Sequence, residues 1–173
     1  MSEGKDTKKK NEGKEFEKQF KDSVPENIYF LRLKDVFSGF KNDTRSFTPS
    51  NPCDAIMYQY PIFYMIEFKS TKGTSFSFDE KIIKQHQIDD LYKASQYKGI
   101  ISGFIFNFRN TNKTYFIHIN DFIEFKKNSG KKSINEKDCI QIGILIRQTI
   151  KKVKYHYYIE TFIKESQEKY LDN

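Results

Sequence analysis

The sequence contains no tryptophan, only two cysteines, three histidines and four prolines, and it has no long apolar run. Each scarcity removes a class of protein. Cys53 and Cys139 are too few to staple a small secreted scaffold, and with His86, His118 and His156 isolated along the chain they have no spacing that suggests zinc. His86 reads as a packing or capping residue. The longest nearly uncharged apolar stretch, residues 99–108, falls far short of the roughly 20 residues that a spanning helix needs. It reads as a buried strand, and a membrane protein is excluded. The first residues alternate Lys, Glu and Gly without an apolar h-region, so no signal peptide and a cytoplasmic location are expected.

What is abundant is aromatic and charged. Seventeen Phe and eleven Tyr in 173 residues supply apolar faces for one domain with a substantial core. A mean hydropathy of -0.74 with 31% charged residues argues for solubility. The formal charge is +7 and the pI about 9.2, which makes a polyanionic partner plausible without deciding reaction or fold. Residues 126–154 hold nine basic against two acidic side chains, whereas the Lys-rich start is nearly balanced by Glu and Asp. The C-terminal third therefore carries the basic surface, either for a polyanion or as solvated lysines that maintain solubility.

Along the chain, residues 1–10 are Lys-rich and poor in apolar groups, as expected of a disordered tail. Residues 11–173 then read as the folded part. Phe16 and Phe20 share one face of a helix over 12–21, which Pro25 ends. A strand at 28–33 leads into a polar loop over 34–52. Strands at 53–58 and 62–69, joined by Gln59, Tyr60 and Pro61, form an antiparallel hairpin. A helix over 82–97 places Ile88 and Leu91 on one face, with Gln87 able to point inward. A second hairpin joins strands 99–108 and 114–119. Asn120 is a candidate N-cap for a short helix, and a strand at 153–158 with a helix at 159–170 closes the chain. Hairpins and crossovers together imply an α/β fold, a mixed sheet flanked by helices.

The chemistry sits at the first hairpin. Side chains alternate along Met65-Ile66-Glu67-Phe68-Lys69, so Glu67 and Lys69 share a face. Asp54, on the neighbouring strand, can approach Glu67 across the pair. Two carboxylates held together are costly unless one is protonated or a cation lies between them, and oxygen ligands suit Mg²⁺. Such an ion can polarise a phosphoryl oxygen, with Lys69 orienting or deprotonating a water or stabilising developing charge. Phosphodiester hydrolysis is the implied reaction. The plainer reading is a surface ion pair at a strand end, since Glu-x-Lys arises often by chance in a Lys-rich chain.

Asp54, then Glu67 thirteen positions on, then Lys69, resembles the Asp…Glu-x-Lys signature of the restriction-endonuclease-like nucleases, and the wider chain resembles RecU-like Holliday-junction resolvases. Asn11-Glu12-Gly13-Lys14-Glu15-Phe16-Glu17 is similar to the opening helix of such resolvases, which implies that Glu17 completes the acidic site. Lys84-Gln85-His86-Gln87-Ile88 resembles their His-Gln-Ile helix, which implies that Gln87 supports the metal. The segments 115–125, 131–134 and 153–155 follow the family order. The resemblance implies a restriction-endonuclease-like fold, Mg²⁺ with Mn²⁺ as a substitute, four-way DNA junctions as substrate, and a homodimer making paired nicks. Two departures stand out. Pro52 occupies the position of a family Thr, whose oxygen Ser50, backbone or water would have to replace, and the loop over 34–52 is shorter than the family's junction-entering stalk.

Arg32, Lys34, Lys41, Arg45 and Lys72 surround the proposed site in sequence and form, as a set, the candidate phosphate contacts. Two rival readings are a nuclease of the same fold acting on ordinary or damaged duplex, and a non-catalytic DNA-binding module that keeps the acidic cluster as structure.

Overall fold

The computed structural model describes residues 12–33 and 51–171. The expectations for the tail and for most of the loop after Leu33, including Lys34, Lys41, Arg45 and Ser50, lie outside the described residues. Helix α1 (Glu12–Asp22) buries Phe16 and Phe20, as their spacing predicts, and strand β1 (Tyr29–Arg32) follows Pro25. Strands β2 (Ala55–Gln59) and β3 (Ile62–Thr71) make the expected antiparallel hairpin, with Ala55 opposite Ile66. After the short β4 (Ser75–Ser77) come α2 (Gln85–Ser95) and a second hairpin of β5 (Ile100–Phe108) and β6 (Lys113–His118). The chain continues through α3 (Ile119–Asn128), β7 (Ser133–Asn135), α4 (Glu136–Ile142) and β8 (Ile144–Leu145). It closes with β9 (Gln148–Lys151), β10 (Lys154–Tyr157) and α5 (Ile159–Tyr170).

Six strands form one mixed sheet in the order β1-β2-β3-β5-β6-β8, in which only the central β3 and β5 run parallel. A parallel neighbour requires a crossover, and α2 lies within it. One face of β3, with Ile62, Tyr64, Ile66 and Phe68, joins Phe16, Phe20 and Phe162 in a cluster under α1 and α5. On the opposite face Phe104 and Phe106 of β5 pack with Ile88, Leu91, Phe122 and Cys139 from α2, α3 and α4. Each fully buried aromatic contributes about 1.5–3 kcal/mol. The expected class, a mixed α/β sheet flanked by helices, is the one observed. Gly103 allows β5 and β6 to close up, since a Cβ there would lie 2.2 Å from the Ile117 carbonyl oxygen. Among the described residues no helix is long and apolar enough to cross a membrane.

Several local expectations need correction. α2 begins at Gln85, not at 82, because the amides of Ile82 and Ile83 donate to the Asp79 carbonyl in a preceding turn. His86 is exposed and neither packs nor caps; Lys84 is the N-cap residue. The N-cap of α3 is His118, whose Nδ1 accepts from the Asn120 amide at 3.2 Å, so Asn120 already belongs to the helix. The closing strand is not solitary. β10 pairs with β9 in a separate two-stranded hairpin that the sequence pattern does not predict.

Candidate active site

Alternation along β3 places Glu67 and Lys69 on the face opposite Phe68, towards α2. Lys69 Nζ donates to Glu67 Oε1 at 3.1 Å and to Gln87 Oε1 at 3.0 Å. Gln87 Nε2 also donates to Glu67 Oε1. The three side chains thus close a ring of hydrogen bonds between β3 and the first turn of α2. Gln87 Oε1 further accepts from the Lys84 amide at 3.1 Å, one of the donors that a helix start leaves unpaired, so capping and site geometry share one oxygen. Gln87 therefore reaches the acidic site through Glu67, and its oxygen faces Lys69.

Asp54 stands immediately before β2. Its amide donates to the Ile66 carbonyl at 3.0 Å and its carbonyl accepts from Leu33, which extends both ladders by one residue. Its Oδ2 accepts from the Phe68 amide at 2.8 Å, tying the carboxylate to the backbone between Glu67 and Lys69. Glu67 is only 3% exposed. Burial pushes its carboxyl from the ordinary 4.5 up to about 7, with the Asp54 charge adding to the rise and the Lys69 charge opposing it. Two carboxylates whose charges oppose one another, beside one lysine, are a donor set that fits a hard divalent cation keeping several waters.

Arg32 and Glu17 complete the surroundings in a way that the sequence does not predict. The Arg32 Nε donates to Glu17 Oε2 at 2.7 Å, and its Nη2 lies 3.3 Å from Asp54 Oδ1. Its Nη1 also donates to the Asp54 carbonyl at 2.7 Å. Arg32 thus links the two acids, and Glu17 meets the site across a guanidinium. Among the described residues no group of three or more His, Cys, Asp or Glu side chains is spaced to hold a metal ion. The donor set gathered here is Asp54 with Glu67. Lys72 is exposed on the turn after β3, and Pro52 is exposed two residues before Asp54. Cys53 lies inside next to Asp54, its thiol pushed up to about 12 by burial, which leaves it unreactive.

The expectation for Arg32 is a phosphate contact, and the structure instead sets it between two acids. The signal for these neighbours is its place as the last residue of β1, opposite Ala55 and therefore beside Asp54. That register cannot be fixed from sequence, because the long loop over 34–52 leaves the β1–β2 pairing open.

An acidic pair and a lysine at the meeting of a hairpin and a crossover helix, on a mixed sheet flanked by helices, defines the class of protein. The match to known proteins is narrower. Residues 57–161 match the family model described as Recombination protein U, RecU. The SPbeta prophage-derived uncharacterized protein YotM of Bacillus subtilis (strain 168) is 38% identical over 169 residues, covering 90% of this chain and 86% of that protein. This chain belongs to the RecU family. Among solved structures, Archaeoglobus fulgidus Hjc, a Holliday junction resolvase from an archaeal hyperthermophile, is similar at 13% identity with a TM-score of 0.47, over 69% of this chain and 83% of that one.

Proposed function

We propose that this protein is a Mg²⁺-dependent, structure-selective DNA endonuclease that cleaves four-way junctions as a homodimer, in DNA recombination and repair. The observation that carries the proposal is Glu67, buried between Asp54 and Lys69 in a chain of the RecU family. Asp54 and Glu67 would hold the cation, with Mn²⁺ as a substitute. Bound Mg²⁺ supplies Lewis acidity toward a phosphoryl oxygen and a nucleophile at neutral pH. The chain's own residues do the rest. Asp54 is aimed by the Phe68 amide, and Gln87 fixes the rotamers of Glu67 and Lys69 together. Lys69 Nζ then serves to orient the attacking water or to neutralise charge on the phosphorus oxygens as the ester bond breaks. Arg32 balances the acidic cluster and holds Glu17 at its edge.

The test is cleavage of a labelled four-way junction in Mg²⁺ by the native protein and by Asp54→Asn and Lys69→Ala variants, with linear duplex of the same sequence alongside. Paired junction nicks lost in both variants are expected. Equal cutting of duplex would retain the nuclease and remove the junction selectivity. Cleavage of neither substrate with tight binding retained would turn the assignment to a DNA-binding module.

A further inference from the structure

The β9–β10 hairpin stands outside the main sheet, and its exposure rises steadily from base to tip. Tyr157 at the base is fully buried under α1, its opposite strand passes Ile150 at 61% exposure, and Val153 at the tip is 90% exposed. The base is fastened to α1 through two main-chain donors. The Tyr155 amide donates to Gln19 Oε1 at 3.2 Å and the Tyr157 amide to Ser23 Oγ at 3.0 Å. The same eleven-residue helix carries Glu17 to the acidic site. Such a helix is about 16 Å long, so the hairpin base and Glu17 lie within one helix length of each other.

Three choices at the tip each oppose hairpin stability. Lys151 and Lys154 sit directly opposite one another, and like charges in a cross-strand pair repel. Lys152 takes a φ of 60°, where Gly or Asn would be less strained. Val153 between them is left in water. Lys151, Lys152 and Lys154 are all exposed, and among the described residues none of them has an acidic partner.

We propose that this hairpin is a cationic arm that grips the phosphate backbone of the duplex leading into the active site, with Lys151, Lys152 and Lys154 as its contacts. The inference rests on the nuclease reading above and adds a binding surface remote from the acidic pair. Three lysines on so short a segment match a polyanion with a charge about every 1.7 Å along its axis. The hydrogen bonds to Gln19 and Ser23 keep the arm's base in a fixed place beside α1.

The experiment measures binding of a labelled four-way junction to the Asp54→Asn protein from 50 to 300 mM NaCl, with and without the added changes Lys151→Gln, Lys152→Asn and Lys154→Gln. A parallel Lys→Arg triple variant serves as rescue, and cleavage by the same triple variants with Asp54 intact is followed at saturating DNA. The arm predicts that the neutral triple variant loses at least tenfold in affinity at 100 mM salt. It also predicts a log–log salt slope smaller by roughly 2–3, at about 0.9 per phosphate contact. The Arg variant should restore both, and the cleavage rate at saturation should change less than twofold. Unchanged affinity and slope, with native protein that cleaves, would overturn the arm and leave the nuclease standing. Native protein that neither binds nor cleaves DNA would remove both. An affinity loss that Arg does not rescue would also count against the arm, as a fault in the hairpin's fold.

Discussion

Replacing Glu67 by glutamine should stabilise the metal-free protein, although it destroys the proposed site. The carboxyl is nearly sealed from water and its value is pushed from 4.5 to about 7. A group that holds its proton more tightly folded than unfolded contributes stability at low pH and loses it as the pH climbs through the folded value. By pH 8 the buried Glu67 has therefore lost the native protein about 3 kcal/mol of the stability it contributes at low pH. The replacement amide would carry no charge, and its oxygen can still accept from Lys69 and Gln87. Urea unfolding in EDTA should thus give the Glu67→Gln variant a free-energy advantage of about 3 kcal/mol at pH 8, falling below about 1 kcal/mol at pH 5. Mg²⁺ at ten times its Kd, at pH 8, should return about 1.4 kcal/mol to the native protein and little to the variant. An advantage equal at both pH values, or a native protein more stable than the variant at pH 8, would refute the buried-carboxylate reasoning.

Other perturbations follow from the same geometry. Gln87→Leu should lower junction cleavage at least tenfold and raise the Mg²⁺ concentration needed for half-maximal rate, because Glu67 and Lys69 lose their common tether. Arg32→Met should destabilise the fold by about 1–2 kcal/mol in urea, since Glu17, Asp54 and a backbone carbonyl all lose a charged donor; the partial exposure of all three side chains keeps the figure modest. Gly103→Ala should cost at least about 3 kcal/mol or prevent soluble expression, as its Cβ collides with the backbone of β6. Tyr64→Phe should cost about 1 kcal/mol by removing the bond to the buried Ser166 hydroxyl, which keeps only the Ile163 carbonyl as its partner. A thermal or urea melt of either core variant checks the last two.

The legible parts of this sequence are those governed by local periodicity. Phe16 and Phe20 mark α1, the apolar run after Gly99 marks β5, and alternation around Glu67 puts it beside Lys69. The short connection at Pro61 is enough to bring Asp54 across from them. What cannot be read depends on partners distant in sequence. β9 is short and polar, and its partners, β10 and the Asn112 and Thr114 groups that hold Gln148, are not marked by its own pattern. His118 outcompetes Asn120 as a cap because β6 delivers its ring to the helix start, where Tyr170 stacks on it at 4.6 Å. The sequence neighbours of Arg32 suggest a cation available to phosphate, and only the pairing of β1 with β2 reveals the acids on either side of it.

The seat of α1 has a further consequence for how the protein comes into being. Gln19 and Ser23 wait for Tyr155 and Tyr157, partners 136 and 134 residues away. Phe16 and Phe20 likewise meet Tyr157 only when that strand exists. A ribosome releases residues in order, so α1 can meet Phe30, Arg32 and Phe68 early, while Gln19 and Ser23 stay without these donors until β10 has emerged. Nascent fragments would carry the hairpin with Asp54 and Glu67 before the far side of α1 is covered. Such a fragment contains both carboxylates and α1 but lacks the strand whose amides reach Gln19 and Ser23, and with it the cationic finger.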